Sequence, residues 1–168
     1  MKKLLFLMIA LLIMTGCGRN QVTEPDKPTE MPSETIDNGE KGNEVKRDMI
    51  MQMKINETLV TVQWEDNESV EALKKLLING DITISMSMYG GFEQVGSLGT
   101  SLPRNDVQVI TESGDIVLYS GNQIVVFYGS NSWSYTRLGH IADKSPQEMK
   151  DLLGNGNVTI VISADWKE

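Results

Sequence analysis

The chain gathers its most reactive side chains in residues 127–141, FYGSNSWSYTRLGHI. The single histidine, His140, lies here with Arg137 and the rings of Phe127, Tyr128, Trp133 and Tyr135. An imidazole offers proton transfer, and a guanidinium offers paired hydrogen bonds to a carboxylate. The rings offer a flat apolar wall, with polar handles on Tyr and Trp. In an extended segment Trp133 and Tyr135 share one face, which Arg137 and Gly139 continue, while His140 falls on the other face with Leu138. No acid or cysteine adjoins His140 in sequence, so it reads as structural and no catalytic residue is assigned. The stretch reads as closing a β-structure and forming one rim of a concave site.

Other chemistry is sparse. One histidine and one cysteine, Cys17, leave no disulfide within the chain and no zinc site, so neither metal nor cofactor is expected. Glu65, Asp66 and Asp81 read as helix and turn surface. Gly90, Gly91, Gly96 and Gly99 lack phosphate-loop spacing and read as a flexible loop, or as backbone that a ligand can approach closely. Met86 and Met88, two apart, read as core filler. The chain holds 15 basic and 23 acidic residues, a net −8; residues 49–168 hold eight and fifteen, a net −7. Without a basic stripe, nucleic acid is excluded as a partner, and an anionic bilayer repels the folded part.

Residues 1–17 read MKKLLFLMIALLIMTGC. Two lysines, an apolar run and small residues before a cysteine make a secretory signal, and the run is too short for a span of ~20 residues. Met14-Thr15-Gly16-Cys17 resembles the lipobox of bacterial lipoproteins, with Met14 in place of the usual Leu. That resemblance implies cleavage after residue 16, lipid on the Cys17 sulfur, and a location on the extracytoplasmic face of the cell membrane. Residues 18–48 carry Pro25, Pro28 and Pro32 among many polar residues, with no apolar period. Such a segment cannot bury enough surface to offset its chain entropy. Residues 17–48 are therefore expected to be a disordered tether, with an average reach of about 30 Å.

The remaining 49–168 suffice for one domain with one core, expected to be monomeric. Met49–Ile55 and Thr58–Trp64 flank Asn56-Glu57 as a hairpin. Ser69–Ile78 has apolar residues at helical spacing, with Asn67 or Ser69 as cap and Asn79-Gly80 as stop. Ile82–Met88, Val107–Thr111, Asp115–Tyr119, Gln123–Tyr128, Tyr135–Ile141 and Asn157–Ser163 read as strands. Pro146–Leu153 reads as a second helix capped by Ser145. The sum is eight strands and two helices.

Residues 76–87, LLINGDITISMS, align without a gap on 152–163, LLGNGNVTIVIS, with seven of twelve positions identical. Each copy ends a helix at Asn-Gly and then begins a strand. This repeat predicts a pseudo-twofold, mainly β fold: a closed eight-stranded barrel with a helix capping each end, which leaves no exposed strand edge. An open antiparallel sheet with both helices on one face is the alternative.

GDIVLYSGNQIVVFYGSNSWSYTRLGHI (114–141) and YGGFEQVGSLGTSLPRND (89–106) resemble the cyclophilin-like domains of bacterial lipoproteins and small proteins, over most of 49–163. The resemblance implies the eight-stranded barrel with two helices. In cyclophilins a groove on the barrel wall speeds isomerisation of the peptide bond before proline, which is slow uncatalysed. That groove uses an arginine beside a Phe-Met-x-Gln-Gly-Gly run. Here the run is absent, with Gly90-Gly91-Phe92-Glu93 a loose echo, and Arg104 is the arginine in the corresponding region. A groove walled by Phe92, Phe127, Trp133 and Tyr135, with Arg104 as polar anchor, follows from the resemblance. The expected function is a membrane-tethered module that binds a small molecule or peptide segment; a divergent prolyl isomerase acting on exported proteins is the alternative.

Overall fold

The computed structural model describes residues 49–166. The expected signal segment 1–16, the expected lipidation at Cys17 and the expected tether through residue 48 lie outside the described residues. What is described is mainly β, with two helices.

β1 (Met49–Ile55) and β2 (Thr58–Val60) form the expected hairpin. Ile55 opposes Thr58, and Asn56 enters the left-handed region at φ 51° to close a two-residue turn. After Thr61 the chain resumes as β3 (Val62–Trp64). Helix α1 (Glu68–Leu77) starts where Asn67 accepts a hydrogen bond from the Val70 N–H at 3.0 Å, and it buries Val70, Leu73 and Leu77. Then come β4 (Ile82–Ser85), β5 (Ser87–Tyr89), β6 (Glu93–Ser97), β7 (Val107–Ile110), β8 (Asp115–Tyr119), β9 (Gln123–Phe127) and β10 (Ser132–Ile141). Helix α2 (Pro146–Leu153) has Pro at its start and a reciprocal capping box between Ser145 and Glu148. β11 (Thr159–Trp166) completes the described chain.

These strands form two sheets rather than one closed ladder of eight. The first runs β2-β1-β11-β4; the second runs β3-β10-β8-β9-β6-β5, with β7 also paired to β10. The expected strands 58–64 and 82–88 are each divided, at Thr61 and at Met86. At both points the chain leaves an edge of the first sheet and becomes an edge of the second. Bending a strand between sheets interrupts its ladder, and these two divisions together with one unexpected strand, β6, make eleven segments where eight were expected. A single core fills the space between the sheets. It takes Met53 and Ile55 from β1, Ile160 and Ile162 from β11, Ile116 and Leu118 from β8, Ile124 and Val126 from β9, with Leu73 of α1 and Met149 of α2. Both sheets and both helices meet there, which sets aside the single open sheet.

The sequence repeat has a geometric counterpart. Its two strands, β4 and β11, are antiparallel neighbours, and the equivalent residues Ile84 and Ile160 oppose each other directly. Equivalent residues face each other across a local twofold axis at that pair.

Glu93–Ser97, expected within a glycine-rich loop, forms β6 instead. Its pattern is unusual for a strand. Gln94 is fully buried and donates to the Leu153 and Gly156 carbonyls at 2.6 and 2.7 Å, satisfying acceptors at the end of α2. A Cβ at Gly96 would collide with Met86 and Ile84. Close packing, not flexibility, places glycine there.

Candidate functional site

The second sheet has an outer face as well as a core face. Along β9, Ile124 and Val126 point into the core, so Val125 and Phe127 point outward. The outward residues make a small apolar cluster of their own: Val117, Val125, Phe127 and Tyr135, with Phe92, Val95 and Val109 against it. Phe127 is fully buried, stacked on Phe92 at 6.5 Å between centroids and met edge-on by Tyr135 at 5.8 Å. Tyr135 in turn meets Tyr119 edge-on at 6.0 Å. These offset and edge contacts are the preferred ring geometries.

Beside this cluster opens a cavity of about 480 Å³, lined by Tyr89, Glu93, Val95, Tyr119, Gln123, Val125, Asn131, Trp133 and Tyr135. Strands β5, β6, β8, β9 and β10 all contribute, so a rigid sheet holds most of the lining. The rings of Tyr89 and Trp133 are 67% and 54% exposed, whereas Tyr135 and Val125 are buried beneath them. Exposed rings around a concave apolar floor are the composition of a binding site.

Glu93 is the cavity's charged residue. It is only 5% exposed, and its Oε2 has no hydrogen-bond partner. Burial pushes its carboxyl up to about 7. Burial and the nearby Glu93 also raise the Tyr135 phenol, whose oxygen accepts a hydrogen bond from the Asn131 side-chain amide at 3.0 Å. Tyr135 therefore stays neutral at physiological pH.

Among the residues expected from sequence, Trp133 and Tyr135 line this cavity. Phe92 and Phe127 stand behind it as support rather than as wall. Arg104 lines a different concavity, with Asn67, Ser69, Pro103, Thr136 and Arg137. Its guanidinium reaches Asp106 at 3.2 Å. The loop that carries it is tied down. Asn105 N–H donates to Thr136 Oγ1 at 2.8 Å, and Ser69 Oγ donates to the Pro103 carbonyl at 2.6 Å.

A β-bulge between Arg137 and Gly139 changes the expected faces. Arg137 opposes Val117 and His140 opposes Asp115, so the extra residue brings His140 round to the outer face. Asp115, nearly buried, accepts from Arg137 at 2.9 Å and lies 2.9 Å from His140 Nδ1. It also accepts from the Glu112 N–H at 3.0 Å, so its lone pairs are well used. His140 thus has the acidic partner that sequence adjacency did not reveal. Met88, expected in the core beside Met86, is 40% exposed. Among the described residues, no group of three or more His, Cys, Asp and Glu side chains is arranged to hold a metal.

A family model described as "Cyclophilin-like family" matches residues 53–163. No curated protein and no solved structure gives a significant match to the chain.

Proposed function

The chain belongs to the cyclophilin-like family, and from that premise we propose that it is a binding module whose outer-face cavity holds a small molecule or a peptide segment. The observation that carries this reading is the cavity itself: about 480 Å³, a floor of Val95, Val125 and Tyr135, and a rim of exposed rings. That volume falls in the range of ordinary ligand sites. The experiment that tests it is a ligand titration of Trp133→Ala beside Arg104→Ala.

The isomerase alternative rests on Arg104, and several features weigh against it. The Phe-Met-x-Gln-Gly-Gly run is absent. The Arg104 guanidinium is engaged with Asp106, and the concavity around it is lined mainly by polar and charged residues. Polarising a prolyl amide requires that charge to be aimed at the substrate carbonyl.

Two further parts of the reading rest on sequence and on continuity of the chain. The ending Met14-Thr15-Gly16-Cys17 supports lipidation at Cys17, which would tether a monomeric domain to the outer side of the cell membrane. The strands 58–64 and 82–89, shared between the sheets, support reading the two sheets as halves of one eight-strand ring with the helices at its ends.

A further inference from the structure

The cavity contains a charge without a counter-charge. Among its nine lining residues there is no lysine, arginine or histidine. The elements around Glu93 supply Tyr89 from β5, Tyr119 from β8 and Tyr135 from β10, while β9 supplies only Gln123 and Val125 to the lining. On the same face, Arg137 and His140 are each bonded to Asp115. The Asn131 amide is engaged with Tyr135. Glu93 Oε2 is thus a buried acceptor with no donor, an arrangement that costs free energy unless something fills it.

We propose that the cavity selects an organic ammonium ion bearing at least one N–H, bonded to the Glu93 carboxylate and enclosed by the rings of Trp133, Tyr135, Tyr119 and Tyr89. The inference rests on the cavity being the binding site, and it names the chemistry of what binds there. An N–H supplies the donor that Oε2 lacks, and the positive charge satisfies a carboxylate poorly solvated by its surroundings. Aromatic rings attract cations through their negative faces, more strongly where water is thinned out. Val95 and Val125 receive the apolar body that carries the nitrogen. The domain's net −7 raises the local concentration of cations at the mouth. A ligand of this kind also holds Glu93 ionised, so binding near neutral pH releases a fraction of a proton.

The test uses the mature chain with Cys17→Ser, titrated with phenethylammonium and, in parallel, its near-isosteric neutral counterpart 2-phenylethanol. At about pH 8, where both Glu93 and the amine are charged, phenethylammonium should bind at least ~10-fold more tightly. That preference should shrink as the pH falls to about 6 and Glu93 takes up its proton. Glu93→Gln should abolish the preference while still binding the alcohol, which shows that the variant keeps its cavity. A blocked lysine-containing tetrapeptide separates the sources of the cation: tighter binding of the peptide assigns a lysine side chain, and tighter binding of phenethylammonium assigns a free amine. Equal binding of amine and alcohol, or a preference that survives in Glu93→Gln, would overturn the ammonium inference and leave the cavity standing. Amide signals of β6, β8, β9 and β10 unmoved by either probe at millimolar concentration would overturn both.

Discussion

Glu93 is the one carboxylate in the cavity lining. Its folded-state carboxyl sits at about 7, against ~4.3 in an unfolded chain. A raised acid binds its proton more tightly in the folded state, so stability falls as pH rises from the unfolded value through about 7, and it does not return above. Glu148 and Glu71 act in the opposite sense and at lower pH. The hydroxyl of Ser145 and the ammonium of Lys74, respectively, hold them below the ordinary glutamate value. Comparing wild type with Glu93→Gln isolates the first effect. Urea midpoints of the wild type should decline between about pH 5 and 7.5, and those of Glu93→Gln should decline less. Above that range the variant should be the more stable by roughly 1–2 kcal/mol, a figure discounted for water reaching the open cavity. Parallel profiles would mean that Glu93 is not desolvated. At this scale the sequence was only partly legible. Trp133 and Tyr135 could be placed by alternation, and they do share the cavity. Alternation failed for His140 because a bulge adds one residue, and nothing in a one-dimensional string marks a bulge before its partner strand is known. Glu93 was invisible for a related reason: a buried acid announces itself only through the strands around it.

At the scale of elements, the cavity depends on β6 lying close against the turn from β4 to β5. Gly96 permits that approach. A Cβ there would press on the Met86 sulfur, stand 2.5 Å from Ile84 Cγ2 and stand 2.8 Å from the Ser85 carbonyl. Gly96→Ala should therefore destabilise the domain by about 1–3 kcal/mol, the usual cost of overpacking, measured by urea denaturation. A loss under ~0.5 kcal/mol, typical of surface changes, would show that β6 does not pack as described. The helices were legible because their signals are local. Asn67 and Ser145 cap them, Pro146 opens the second, and apolar residues recur at helical spacing. β6 was not legible because its determinants are distant: the Leu153 and Gly156 carbonyls that receive Gln94, the Met86 and Ile84 that require a glycine, and the outer cluster that buries Glu93. The repeat at 76–87 and 152–163 pointed to an internal twofold, and the opposed pair Ile84 and Ile160 marks it. The bends at Thr61 and Met86 had no sequence signal, since neither glycine nor proline marks them.

For the whole molecule, the described domain buries one shared core between two sheets and turns a second, aromatic cluster outward. Its net negative charge opposes adsorption to an anionic bilayer, so the proposed attachment rests on lipidation at Cys17. Cys17→Ser should leave the protein unlipidated and shift it from the membrane fraction, or leave its signal uncleaved. Normal lipidation and fractionation of that variant would remove the tether from the account. The binding reading is tested most directly by calorimetric titration of the mature chain, Trp133→Ala and Arg104→Ala with one ligand found by screening. Truncating an exposed ring on the cavity rim should weaken binding about tenfold or more, while truncating an arginine outside the cavity should change it less than about twofold. Unchanged affinity in Trp133→Ala with a large loss in Arg104→Ala would contradict the account and move the site to the concavity around Arg104.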